Sequence, residues 1–141
     1  MKAKGGFTLV EILIVVVILG ILAAIVIPQF SDASSDAKLS SLCSDLQTVR
    51  SQIELYKIQH NDDLPGAGSA SFEDCMTDQT DVAGASGTDY GPYLQQIPTN
   101  PFVDDPNVET GTGSPGGGNA GWYFNTSTGA FNADDDDHTS Y

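Results

Sequence analysis

The chain has 141 residues, with 15 Gly, 7 Pro and 2 Cys, a size that holds one small domain. Nineteen acidic residues against 5 basic ones give a formal net charge of −14. So acidic a surface repels phosphate backbones and anionic headgroups, which argues against any nucleic-acid groove.

Residues 1–6, MKAKGG, form a short polar start carrying Lys2 and Lys4. They lead into residues 7–27, where only Thr8 and Glu11 are plainly polar. As a helix that stretch is about 31 Å long, which matches a bilayer core of about 30 Å. Lysines ahead of a span stay cytoplasmic, so the acidic remainder is exported. An ordinary secretory signal has a shorter apolar stretch and a small-residue cleavage site after it. Here the small pair Ala23-Ala24 runs on into Ile25, Val26 and Ile27, whereas Gly5 and Gly6 come before the apolar run. Cleavage guided by the glycines removes the leader and keeps the span. The alternative is an uncleaved single-span anchor.

Glu11 is the anomaly in this segment. An unpaired ionised carboxylate costs about 2.5 kcal/mol or more at the centre of a membrane helix, and less near the interface. Cleavage after Gly6 supplies a partner, because the freed Phe7 amine is cationic near neutral pH. One amine and one carboxylate per chain allow Phe7 of an incoming subunit to pair with Glu11 of its neighbour. Glu11 also reaches the headgroup level, or its own amine one turn away. Spacing does not separate these arrangements. Pro28 then ends the apolar run, and a proline inside a helix kinks or locally melts it.

Past Pro28, Leu39, Leu42, Leu46, Val49, Ile53 and Tyr56 recur at spacings of three and four, an apolar stripe on one helical face. The helix is predicted to stop near residues 61–65, within HNDDLPG. Residues 66–89, rich in Gly, Ala, Ser, Thr and Asp, read as an ordered loop pinned at Cys75. Residues 91–102, GPYLQQIPTNPF, read as a turn-bounded strand or an irregular stretch. Residues 110–121 form a flexible Gly-rich loop by composition. Residues 122–125 and 130–133 flank a turn and predict a β-hairpin whose Trp122, Phe124 and Phe131 cover the helical stripe.

Few other residues offer chemistry. Cys43 and Cys75 fall on the exported side, where a disulfide is the expected state; it would stabilise the fold by roughly 3–4 kcal/mol in the chain-entropy model. Two unpaired thiols are the alternative. The carboxylates of Asp134, Asp135, Asp136 and Asp137 read as a solvated acidic tail, with a weak calcium site as the alternative, because a straight run lacks the alternation calcium loops use. Gly111, Gly113 and Gly116 spell a G-x-G-x-x-G that leaves no clear strand and opens no helix, so no nucleotide site is expected. His60 and His138 lack Cys or His companions and read as surface or helix-end residues. Asn125-Thr126-Ser127 matches a glycosylation acceptor pattern, with little weight. No nucleophile-elbow or other reaction signature is present, so the chain is read as a non-enzyme with no cofactor.

Gly6 followed by FTLVEILIVVVILGILAAIVIPQF resembles the leader and spine of type IV pilins and type II secretion pseudopilins. The likeness covers roughly the first 30 residues and rests on Gly before Phe, Glu four residues on and a Pro ending the span. It implies that a prepilin peptidase cuts between Gly6 and Phe7 and N-methylates Phe7, which keeps its positive charge, and that Glu11 serves assembly. A second likeness, in IELYKIQHNDDLPG and GPYLQQIPTNPF, is to the major pseudopilin family of type II secretion systems, protein G of the general secretion pathway. Many of that family close with a Gly- and Asp-rich loop holding calcium, whereas this chain ends GWYFNTSTGAFNADDDDHTSY.

The resemblance implies an α+β, pilin-like fold: a long N-terminal helical spine, membrane-spanning in its first half, packed on a small antiparallel β-sheet head. The expected divisions are a leader at 1–6, a transmembrane and filament-core helix at 7–27, its amphipathic continuation at 28–62 and the head at 63–141. The expected role is a homopolymeric pseudopilus subunit of the bacterial inner membrane, single-pass, with N-terminus cytoplasmic and head periplasmic. Expected partners are further copies, the prepilin peptidase, the assembly platform, other pseudopilins and, before assembly, the bilayer. The alternatives are a type IV pilus major pilin and a monomeric anchored binding domain.

Overall fold

The computed structural model describes residues 6–141. Residues 1–5, with the orienting Lys2 and Lys4, lie outside the described residues. The element order is helix α1 (Leu9–Gln59), helix α2 (Phe72–Thr77), then strands β1 (Val108–Gly111), β2 (Trp122–Asn125) and β3 (Phe131–Ala133). Two compact units divide between Ala37 and Lys38.

In the first unit, α1 is long and apolar enough over Leu9–Ile27 to cross a membrane, and none of that segment is buried. The backbone stays helical through Pro28, so the helix does not melt there. Proline removes one donor, but its fixed φ near −65° is compatible with helical geometry.

In the second unit, the predicted stripe faces inward: Leu42, Leu46, Val49, Ile53 and Tyr56 are all buried. Against it lie Phe72, Met76, Ile97, Trp122, Phe124 and Phe131. Phe72 and Phe124 bring their rings to 4.4 Å, and Trp122 and Phe131 theirs to 5.4 Å. The Trp122 indole donates from Nε1 to the Pro98 carbonyl at 2.7 Å, so the most deeply placed aromatic has its polar atom satisfied.

The hairpin forms where predicted. Strand β2 pairs antiparallel with β3, with Trp122 opposite Ala133 and Phe124 opposite Phe131. The Asn125 side chain fixes the turn: its Oδ1 accepts from the Ser127 and Thr128 amides at 2.9 and 3.0 Å, and its Nδ2 donates to the Gly113 carbonyl at 2.8 Å. The sheet as a whole differs from the expectation of an antiparallel head. Strand β1 pairs with β2 in parallel, Val108 opposite Trp122, and the order is β1-β2-β3. The chain must return to the same end of the sheet between β1 and β2, and the Gly-rich stretch makes that return without a helix. At Gly121, where it re-enters the sheet, an added Cβ would lie 1.9 Å from the Asp105 carbonyl oxygen, so only glycine fits.

The expected loop at 66–89 contains α2. Ser71 caps it: its Oγ accepts from the Asp74 amide at 3.1 Å, while the Asp74 carboxylate accepts from the Ser71 amide and hydroxyl. This reciprocal capping box is encoded locally as S-x-x-D. Residues 91–102 are irregular, as one of the two sequence readings has it, and contain a cis Gly91–Pro92 bond.

Candidate functional site

Thr8 stands just before the first helical residue, and the Thr8 carbonyl accepts from the Ile12 amide at 3.3 Å. Thr8 Oγ1 accepts from the Glu11 amide at 3.2 Å. In return, Glu11 Oε2 accepts from the Thr8 amide at 2.8 Å and from the Thr8 hydroxyl at 2.7 Å. The result is a capping box at the start of α1, with Glu11 at the third helical position, where the helix dipole also favours a negative charge. The two polar residues of the apolar run, Thr8 and Glu11, thus form one T-x-x-E unit.

The chemistry of this site is electrostatic. Two hydrogen bonds from Thr8 hold the Glu11 carboxylate at the helix entrance, and a carboxylate has room for about four donors. A cationic amine can therefore join without displacing Thr8. Around it Phe7, Leu9, Val10, Ile12 and Leu13 are all exposed, with Phe7 at 85%. Cleavage of the Gly6–Phe7 bond would meet an accessible, non-helical backbone, since Gly6, Phe7 and Thr8 precede the helix.

The expected Cys43–Cys75 disulfide is not made, and both thiols are free. Cys43 follows Leu42 on α1, about 100° round the helix. It is exposed beside an open groove of about 470 Å³ flanked by Leu46, Arg50 and Tyr141. Cys75 points inward from α2, with its Sγ 3.5 Å from the Tyr56 hydroxyl and 3.8 Å from the Gly84 carbonyl. Tyr56, which Cys75 meets, lies about 20 Å further along α1 than Cys43.

His60 is buried rather than at the surface. Its ring stacks on Tyr56 at 3.7 Å, with Nδ1 at 2.9 Å from the Tyr56 carbonyl and Nε2 at 3.0 Å from the Thr80 hydroxyl. A carbonyl only accepts, so Nδ1 carries the hydrogen. Burial first, and then the Cys75 thiol, push the Tyr56 hydroxyl far above its ordinary value. Burial likewise raises Tyr93, whose hydroxyl donates to Gln59 Oε1 at 2.6 Å. These phenols and the imidazole therefore serve packing.

The acidic run is not a uniformly solvated tail. Asp134 and Asp135 are buried, whereas Asp136 and Asp137 are exposed. Asp135 bonds the His138 imidazole through Oδ1 and Asn100 Nδ2 through Oδ2, at 3.1 Å for the latter. His138 in turn stacks on Phe102 at 3.8 Å. Among the described residues, no three His, Cys, Asp or Glu side chains gather where they would hold a metal. Gly111 ends a strand, but Gly113 and Gly116 lead to β2 with no helix N-terminus to meet a pyrophosphate. Each cation of the head has a partner: Arg50 donates to the Phe131 and Tyr141 main-chain oxygens, Lys57 pairs with Glu54 on the helix surface, and Lys38 lies over the Phe102 ring.

The Prokaryotic N-terminal methylation motif matches residues 1–27. With an exposed apolar helix, one acid at its entrance and an α+β head, that match makes the chain a pilin-like protein with a membrane-anchoring helix. It is 32% identical over 101 residues to the type II secretion system core protein G of Pseudomonas aeruginosa, covering 72% of this chain and 70% of that protein. The chain belongs to the family of type II secretion system core protein G. To the core protein G of Klebsiella pneumoniae it is 29% identical over 105 residues, 74% of each chain. A fimbrial protein of Pseudomonas aeruginosa is 44% identical over 54 residues, 38% of this chain and 35% of that protein. No solved structure matches the chain.

Proposed function

We propose that the chain is a structural subunit of a type II secretion pseudopilus, which polymerises from the inner membrane and drives protein export. The observation carrying this reading is Glu11, an acid held at the entrance of a helix whose apolar residues from Leu9 to Ile27 are exposed on every face. A prepilin peptidase cleaves after Gly6 and methylates Phe7, and the Phe7 amine of an incoming copy pairs with Glu11 of its neighbour. Thr8 keeps the carboxylate hydrogen-bonded until that amine arrives. Withdrawing the span from lipid is unfavourable unless the same surface is reburied, and packing against other spines reburies it. The N-terminus is cytoplasmic and the head periplasmic. The assembly platform and other pseudopilins are its partners, and a separate ATPase supplies the work.

The experiment is Glu11→Ala in cells, read by sheared-filament yield and by mass spectrometry of the mature N-terminus. Filaments should be lost while the processed, methylated subunit persists with a folded head. Undiminished filaments would overturn the Glu11–Phe7 pairing. A chain that still begins at Met1 would overturn the maturation step, and a wild-type chain that stays single at high expression would leave only a monomeric anchored binding domain.

The fimbrial similarity favours a second reading, a type IV pilus major pilin. It spans 54 residues against 101 for core protein G, so the secretion reading accounts for more of the chain. Deleting the gene and scoring secreted enzymes against surface pili separates the two.

A further inference from the structure

The resemblance to major pseudopilins implies a C-terminal loop that holds calcium, and the residues present here do not fit that ion. Calcium takes six to eight oxygens from carboxylates, carbonyls and waters. Asp134 Oδ1 instead accepts from two main-chain amides, Gly116 at 2.8 Å and Gly117 at 3.2 Å, and its carbonyl accepts from Gly118 at 3.1 Å. Converging amide N–H groups present positive ends, the surroundings of an anion rather than a cation. Both carboxylate oxygens of Asp135 are already bonded, to His138 and Asn100. Asp134 Oδ2 is the one buried side-chain oxygen without a partner among the described residues, and one oxygen does not make a calcium shell.

We infer that the buried Asp134 carboxylate staples the Gly-rich crossover to the sheet, and that the head therefore closes without calcium. The need for a staple follows from the topology. The stretch between β1 and β2 must return the chain for a parallel pairing, and glycine-rich backbone loses the most conformational freedom on being ordered. Gly116 and Gly118 have φ of +110° and +61°, conformations that glycine adopts without the strain a side chain would add. Asp134 follows directly on β3, so a bond from it to Gly116 and Gly117 ties the crossover to the opposite edge of the same sheet. A carboxylate accepting several amide bonds is a charge-assisted contact, stronger than a neutral one.

The test is thermal unfolding of the full chain in detergent, in excess calcium and in excess chelator. The wild-type midpoint should agree between the two within about 1 °C, and Asp134→Asn should lower it by roughly 5 °C in both. Gly116→Ala, which strains the amide nest and leaves every carboxylate in place, should lower the midpoint in the same calcium-independent way. A wild-type midpoint that falls by several degrees on chelation would overturn the inference, as would an Asp134→Asn protein as stable as wild type. If Asp134→Asn does not fold, Gly116→Ala and the wild-type comparison still decide the matter. None of these outcomes depends on filament formation, so the inference stands or falls apart from the secretion reading.

Discussion

One helix, α1, serves two solvents. From Leu9 to Ile27 it is apolar all round and exposed, with Val26 the least exposed of its large side chains at 42%. From Lys38 onward it is apolar on one face only, and Leu42, Val49 and Ile53 on that face are almost wholly buried within the head. The backbone is helical in both regions, so what separates them is where water is excluded. In the head, the chain's own sheet excludes it. In the first region none of the described residues buries the helix, so what keeps water from it is lipid or, on the proposed function, other copies.

The contrast can be sharpened by a pair of matched truncations. Leu46→Ala should destabilise the head by about 2–5 kcal/mol, a large share of a small domain's total, because it opens a cavity in a packed core. Leu19→Ala should leave head unfolding in detergent unmoved. Denaturant unfolding of both variants checks this, and a comparable loss from Leu19→Ala would break the division.

Alkali should come next in effect, and only on the head. Burial raises the hydroxyls of Tyr56 and Tyr93 above the ordinary tyrosine value of about 10. Their contribution is fully present below that pH. As pH rises past it, the unfolded chain releases its phenolic protons first, so stability falls until the folded phenols also ionise. Tyrosinate absorbance followed alongside unfolding should show the two changing together.

Caps compare the regions on a smaller scale. Ser71→Ala should cost the head about 1 kcal/mol, by removing the acceptor for the Asp74 amide. Thr8→Val removes the equivalent acceptor from α1, yet should leave head stability unchanged. Its effect should be seen instead in filament yield, because Glu11 loses its hydroxyl partner. Smallest of all, Cys43→Ser should move the unfolding free energy by less than about 0.5 kcal/mol, with or without reductant, as for an exposed residue away from any cap or core. A strong reductant effect would restore the disulfide that the structure lacks.

Much of this was written locally. Periodicity set the stripe from Leu39 to Tyr56, the length of the apolar run set the anchor, and turn chemistry set the hairpin at Asn125. Glu11 stood out because one charge in an apolar run is conspicuous. The two capping boxes, at Thr8 and Ser71, are equally local, as S/T-x-x-E/D patterns.

Pairing across distance was decided elsewhere. No local signal says that β1 runs parallel to β2, since direction depends on how the intervening chain returns. Cys43 and Cys75 share a compartment and a plausible separation, but a one-residue step from Leu42 turns Cys43 outward while α2 turns Cys75 inward. Asp134 and Asp135 look like their exposed neighbours in an acidic run, and only the amides of Gly116 and Gly117 and the side chains of Asn100 and His138 bring them inside. Helical period and hydrophobic run-length are properties of neighbours along the chain, so the sequence alone determined them. Burial of a charge depends on partners far along the chain, and only the tertiary structure could supply those.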